Sequence, residues 1–263
     1  MWTCPNTCQA RNAEHVKRSD DCVISPRYGN AHRLGIIVPS LNVTIEPEFN
    51  AVAPEEVSIF ATRLLLEKGT KRDLERMAKN TEAACRLLAS AQVGAVLYAC
   101  TTGSLIGGKK WEKELNRRMK SCVSMPVITT AGAVVQAINE MGLKKIAVAT
   151  PYSEQLNSAE KEFFEENGFV VTRLKGLGYV TGEGLHSEPV ETTVQLARAV
   201  NSEEADGVFL SCTDLKTITV LSKLEKELGK PVLSSNAASL WSSLRALKVE
   251  SKIKGCGSLL AEH

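Results

Sequence analysis

Apolar runs of strand length recur along the chain, with helical patterns between them. The first half carries LGIIV at 34–38, VSIFA at 57–61, VGAVLYA at 93–99 and PVIT at 126–129; the second carries KIAVAT at 145–150, FVVTRL at 169–174, DGVFLS at 206–211 and PVLSS at 231–235. Each run is continuous rather than alternating, as in a strand covered on both faces. Between them, KRDLERMAKNTEAACRLLASA (71–91), AGAVVQAINEMG (131–142), SAEKEFFEENG (158–168) and TVLSKLEKELG (219–229) place apolar residues at helical spacing. The last three end at a glycine suited to a helix C-cap. Alternating strands and helices predict an α/β protein built on parallel sheets. Residues 1–32 lie outside this pattern and are expected to form a disordered leader. The rest divides into an N-terminal α/β half at 33–144 and a C-terminal α/β half at 145–263.

The two halves repeat one another. Pro39 and Pro151 follow the first strand of each half and stand 112 residues apart, and Cys100 and Cys212 are separated by the same 112. Each cysteine ends a strand and precedes a threonine, in YACTTGS and LSCTDLKT, and each half then returns to a Pro-Val strand in SMPVITT and GKPVLSS. Open α/β sheets bind ligands beyond the carboxyl ends of their strands. Two such halves facing one another would share a cleft, with one thiol entering from each side.

Composition narrows the partners. The 263 residues are 43% hydrophobic and 24% charged, and 32 basic against 30 acidic residues leave a net charge of +2. That supplies no field for collecting nucleic acid or an anionic membrane. No run approaches the ~18 apolar residues of a membrane span, and the N-terminus lacks the apolar segment of a secretory signal, so a cytoplasmic protein is expected. Clusters such as KGTKRDLERMAK and GGKKWEKELNRRMK mix both signs at helical spacing and read as solvated helix faces.

Eight cysteines in a chain of this length are too dilute for a disulfide framework. Cys4 and Cys8 form a C-x3-C pair with Cys22 further on. Yet the four histidines stand at 15, 32, 186 and 263, and no second close pair completes a metal site, so no metal is expected. Cys85 lies in a helical pattern as a small apolar residue, and Cys122 and Cys256 lie in loops. Cys100 and Cys212 remain as the candidates for chemistry.

Moving a proton from one face of a carbon to the other needs an acid on one side and a base on the other, roles that two thiols can exchange. A free thiol titrates near ~8.5, and a cysteine leading into a helix N-terminus is expected to gain thiolate character from the helix dipole. Backbone N–H groups and hydroxyls at Thr101, Thr102, Gly103, Ser104 and Thr213 are suited to holding a carboxylate or a developing enolate. Asn42, in VPSLNVT, and Tyr152, in TPYSEQLN, follow equivalent strands and could reach the same cleft. His186, in GEGLHSEP, is expected to be an exposed loop residue.

Taken together, VPSLNVTIEPEF, YACTTGSLIGG, ITTAGAVVQAINEMGLKKIAVATPY, SCTDLKT and GKPVLSSNAASLW resemble the maleate cis-trans isomerase and arylmalonate decarboxylase branch of the aspartate/glutamate racemase superfamily. The resemblance runs from about Arg33 to about Leu247. It implies two pseudo-symmetric Rossmann-like halves, no metal or organic cofactor, a small carboxylate bound between the cysteines, and a homo-oligomer. It also implies that Cys100 is the nucleophile that adds to a double bond, that Cys212 is its acid/base partner, and that Asn42, Thr101, Thr102, Tyr152 and Thr213 hold substrate carboxylates. Decarboxylase members keep only the cysteine matching Cys212, so possession of both favours isomerisation or racemisation.

One departure concerns the substrate. Where maleate isomerases carry an asparagine after a GLGI-like segment, this chain reads GLGYVTGEG, with Gly182 at or near that place. Maleate to fumarate isomerisation is the first expectation. A racemase or epimerase of an aspartate- or glutamate-like acid, including the ectoine-utilisation type, is the principal rival. An arylmalonate-type decarboxylase and a non-catalytic carboxylate-binding module stand behind them. No G-x-G-x-x-G follows the first strand and no P-loop is present, which argues against a nucleotide enzyme.

Overall fold

The computed structural model describes residues 31–179 and 182–263. Most of the expected leader, with Cys4, Cys8 and Cys22, lies outside the described residues. Along the chain run β1 (His32–Pro39), α1 (Ile45–Val52), β2 (Val57–Leu64), α2 (Lys71–Ala78), α3 (Thr81–Ser90), β3 (Ala95–Tyr98), α4 (Thr101–Leu105), α5 (Gly108–Lys120), β4 (Val127–Thr129) and α6 (Thr130–Glu140). The second half continues with β5 (Lys145–Tyr152), α7 (Glu154–Glu166), β6 (Val170–Tyr179), α8 (Gly182–His186), α9 (Val190–Val200), β7 (Gly207–Leu210), a 3-10 turn (Ile218–Val220), α10 (Leu221–Leu228), β8 (Val232–Ser234), α11 (Ser235–Ala246) and α12 (Ser258–Glu262).

All eight apolar runs form strands, and they pair in two parallel four-stranded sheets of identical order, β2-β1-β3-β4 and β6-β5-β7-β8. The predicted α/β class and its internal repeat are therefore present in the topology. Burial differs between centre and edge. The central strands β3 and β7 are wholly buried, whereas β2 and β6 lie at sheet edges and are partly exposed, with Val170 53% accessible. The opposite edge strands, β4 and β8, are wholly buried, so a continuous apolar run marks a covered strand at one edge of each sheet and not at the other.

The single helix expected over 71–91 is two helices. Asn80 Nδ2 donates to the Arg76 carbonyl and Thr81 Oγ1 to that of Ala78, and these side-chain bonds replace the continuing backbone ladder. α10 ends as expected, at Gly229 with φ +65°.

The halves meet through the equivalent helices α6 and α11. Thr129 Oγ1 accepts the Gly132 N–H at the start of α6 and Ser234 Oγ accepts that of Ala237 at the start of α11, two matching N-caps. The two helices pack on each other, and α11 also covers β3 and β4 of the first sheet. Ser239 Oγ donates to Thr130 Oγ1 (3.1 Å) and Ser242 Oγ to Gln136 Oε1 (2.9 Å), so buried hydroxyls join across a small-residue contact. One apolar core runs through both sheets, from Leu34, Ile36 and Leu97 to Val148, Phe209 and Leu240. No helix among the described residues is long and apolar enough to cross a membrane.

β6 pairs with β5 at Gly176, opposite Thr150. A Cβ there would lie 2.3 Å from Asn157 Nδ2 and 2.5 Å from the Tyr152 carbonyl oxygen. Asn157 in turn accepts from Thr150 Oγ1 (2.5 Å) and donates to Tyr152 O (3.3 Å), fixing the end of β5. Gly176→Ala should cost about 2 kcal/mol of stability, read as a fall in Tm of several degrees, because it overpacks this junction.

Candidate functional site

Cys100 leaves β3 and Cys212 leaves β7, equivalent strands of the two sheets, and both line one cavity of about 90 Å³ between the halves. That is well below the ~300–1,000 Å³ of pockets for drug-sized ligands and suits an acid of a few carbons. Asn42, Thr101, Thr102, Tyr152 and Thr213 line the same cavity, so it gathers all seven candidate residues. Leu41, Leu66, Leu74, Leu156 and Leu185 supply its apolar wall.

The two thiols have parallel surroundings. Cys100 is 5% exposed and caps α4, its Sγ accepting the Gly103 N–H at 3.3 Å. Cys212 Sγ accepts the Asp214 N–H, also at 3.3 Å. The expected helix dipole differs between them: α4 has only five residues, and Cys212 enters a turn rather than a helix. Cys212 has φ +114°, a conformation that side chains rarely adopt, and its N–H is bonded to Ser235 Oγ at 3.1 Å. Strain of this kind costs about 1–3 kcal/mol and concentrates at functional sites.

The expectation of thiols poised near neutrality is corrected by their burial. Desolvation pushes Cys100 up to about 11, against which the Gly103 N–H and the Thr102 hydroxyl work only partly. Cys212 is raised further, first by desolvation and then by the neighbouring Asp214 carboxylate. Burial thus favours the thiol form of both cysteines.

The polar lining is engaged across the halves. Asn42 Nδ2 donates to Thr213 Oγ1 (3.0 Å), and Thr213 Oγ1 donates to the Ala99 carbonyl (3.1 Å). Asn42 Oδ1 accepts the N–H groups of Thr44 and Ile45, both at 3.0 Å, fixing the side chain at the entry to α1. Thr101 Oγ1 donates to Ser235 Oγ (2.9 Å). Ser104 turns away from the cavity: its hydroxyl donates to the carbonyls of Cys100 and Thr101. Gly182 opens α8, between the cavity-lining Tyr179 and Leu185.

Several residues escaped the sequence reading. Asp214 lines the cavity, with Oδ1 accepting the Val43 N–H (2.8 Å) and Oδ2 3.0 Å from His186 Nε2, and burial raises its carboxyl. His186 is thus a partly buried partner on α8, not an exposed loop residue. Glu48 reaches from α1 to the loop after Cys212, accepting from the N–H groups of Thr217 (2.6 Å) and Ile218 (3.0 Å) and from Asn236 Nδ2 (2.6 Å). Glu160, on α7, is fully buried. Glu48 and Glu160 stand 112 residues apart, the same offset as the cysteines, a signal present in the sequence itself.

A family model described as arylmalonate decarboxylase matches residues 34–260. A maleate isomerase of Pseudomonas putida is 28% identical over 243 residues, covering 88% of this chain and 97% of its own length. An arylmalonate decarboxylase of Bordetella bronchiseptica is 26% identical over 232 residues, covering 87% and 96% respectively. Among solved structures, a cysteine-to-serine mutant of Nocardia farcinica maleate cis-trans isomerase, with a covalently bound succinylcysteine intermediate, superposes with a TM-score of 0.82. It is 26% identical and covers 88% of this chain and 99% of that one.

Cys212 offers a test of strain at the site. Cys212→Gly should be more stable than Cys212→Ala by about 1 kcal/mol, because only glycine adopts this φ without cost. Thermal melts of the two variants measure the difference; equal or reversed stability would show that the backbone there is unstrained.

Proposed function

The chain belongs to the arylmalonate decarboxylase family, and from that premise we propose that it is a two-cysteine isomerase of a cis-enedioic acid, with maleate to fumarate as the reaction. The observation that carries this reading is the presence of two thiols, one from each half, in one small cavity. Decarboxylation needs a single proton donor; reversible addition across a double bond uses a nucleophile and a separate acid. The relatives named maleate isomerase, and the succinylcysteine held by one of them, support the same chemistry.

In the reaction the Cys100 thiol first gives its proton to water, and the resulting thiolate Sγ adds to one alkene carbon while the displaced electron pair moves into the adjoining carboxylate as an enediolate. Cys212 transfers its Sγ–H proton to the other alkene carbon, leaving a succinyl thioether on Cys100 and a thiolate at Cys212. The former double bond is now single and rotates. Cys212 withdraws the proton, the electron pair re-forms the double bond, and the C–S bond breaks to release the trans acid and the Cys100 thiolate.

No lysine, arginine or histidine lines the cavity among the described residues. The negative charge is therefore met by neutral donors, for which Asn42, Thr101, Thr102, Tyr152 and Thr213 are the candidates. Asp214 favours a second reading. As a carboxylate on the cavity wall it would attract the ammonium group of an aspartate- or glutamate-like acid, and the two thiols would then exchange an α-proton in a racemase.

Proton NMR in deuterated buffer with maleate, aspartate and glutamate separates the readings. Maleate should convert to fumarate, and turnover should fall by about 10²–10⁴-fold in Cys212→Ala and at least as far in Cys100→Ala. Deuterium entering the α-position of an amino acid, with maleate inert, would replace the isomerase by the racemase.

A further inference from the structure

Tyr98 is 0% exposed, and its hydroxyl has no hydrogen-bond partner among the described residues. The neighbouring buried hydroxyls of Thr101, Ser104, Thr213 and Ser235 are all bonded. A buried hydroxyl left unpaired is costly and calls for a reason.

Its surroundings supply one. Tyr98 ends β3 two residues before Cys100, and both side chains belong to one buried cluster on the same side of the extended segment. A Cβ on Gly103 would lie 2.5 Å from Tyr98 Oη and 3.0 Å from Cys100 Sγ. Oxygen and sulfur therefore border the space that a side chain there would fill, and stand at most about 5.5 Å apart, the sum of those two distances. Gly103 is itself held in place: its N–H donates to Cys100 Sγ (3.3 Å), and its carbonyl accepts from Trp111 Nε1 (2.9 Å).

A hydrogen-bond donor gains most by facing an ion. Cys100 Sγ already accepts from Gly103 and lies 3.9 Å from Thr102 Oγ1. Once ionised it can accept a further hydrogen, and the Tyr98 hydroxyl has one unspent. Burial, and after it the neighbouring Cys100, push the Tyr98 phenol well up, so that hydrogen stays on the oxygen. A donor that is unpaired beside the thiol and paired beside the thiolate favours only the charged form, which is the form that reacts.

We propose that the Tyr98 hydroxyl is a donor held in reserve for the Cys100 thiolate, turning onto Sγ when the thiol ionises, and that residue 103 is glycine because this hydroxyl occupies the place of a side chain. The inference rests on the reading of Cys100 as the nucleophile. The cluster around Tyr98 and Cys100 takes Leu74 and Met77 from α2, Trp111 from α5 and Leu156 from α7, all uncharged. The titratable groups facing the sulfur are Tyr98 and, from the other half, Cys212 and Asp214.

Tyr98→Phe removes the hydroxyl alone. The full-length protein is alkylated with iodoacetamide between about pH 7 and about pH 9.5, and the Cys100 and Cys212 peptides are followed by mass spectrometry. The rate at Cys100 should fall about fivefold or more at each pH, and that at Cys212 should change by less than about twofold. Both thiols line the same cavity, so Cys212 reports any change in access. Tm should not fall, because the hydroxyl that is lost had no partner. Met77→Leu replaces the methyl 3.2 Å from the same point and keeps the hydroxyl; it should leave Cys100 within about twofold of wild type. Equal rates at Cys100 in wild type and Tyr98→Phe, an equal slowing at Cys212 or in Met77→Leu, or a lower Tm of Tyr98→Phe would overturn the proposal. No substrate is present, so that outcome leaves the maleate reading intact, and a protein inert to maleate leaves the alkylation comparison as it is.

Discussion

The hydroxyl of Ser235 joins the two halves at the site. It receives the Thr101 hydroxyl from the segment after Cys100 and the backbone N–H of Cys212 itself, at 2.9 and 3.1 Å. Ser235 is the first residue of α11, which packs on α6 and on the first sheet while extending from β8 of the second. One buried hydroxyl thus sets the separation of two thiols that belong to different sheets. Asn42 to Thr213, Thr213 to Ala99, and Glu48 to the 217–218 loop close the same junction from the other side. Such contacts are strong only when fully satisfied, which is why the positions of the cysteines are tied to the packing of the entire interface.

Burial has two effects on the chemistry. It favours the protonated form of both thiols, and it makes each backbone N–H and hydroxyl aimed at the reacting atoms more effective than in water. The cavity offers anionic groups fixed neutral dipoles rather than a cation, and places Asp214 near Cys212 as its one carboxylate among the described lining residues. A site of this kind discriminates by where negative charge falls.

Much of this was legible in the sequence. Continuous apolar runs located all eight strands, and the equal offsets of the proline and cysteine pairs announced two sheets of the same order. The seven candidate residues share a cavity because strand ends of repeated units converge by topology alone. What failed to show was tertiary. Asn80 and Thr81 break a helix through side-chain bonds that periodicity does not register, and the edge positions of β2 and β6 depend on pairing order. His186 gains its meaning only beside Asp214, and the raised thiols follow from burial depth, which a motif does not encode. Glu48 and Glu160 were the exception: their spacing repeats that of the cysteines, and their acidic character hid them among surface carboxylates.

The central claim is a division of labour between two facing thiols, with the carbon–sulfur bond on Cys100 and the proton on Cys212. Incubating the Cys212→Ser variant with maleate, quenching, and mapping the peptides by mass spectrometry tests it most directly. The account predicts an adduct with the mass of one maleate on Cys100, absent when Cys100 is also replaced by alanine. An adduct on any other cysteine, with Cys100 unmodified, would contradict it.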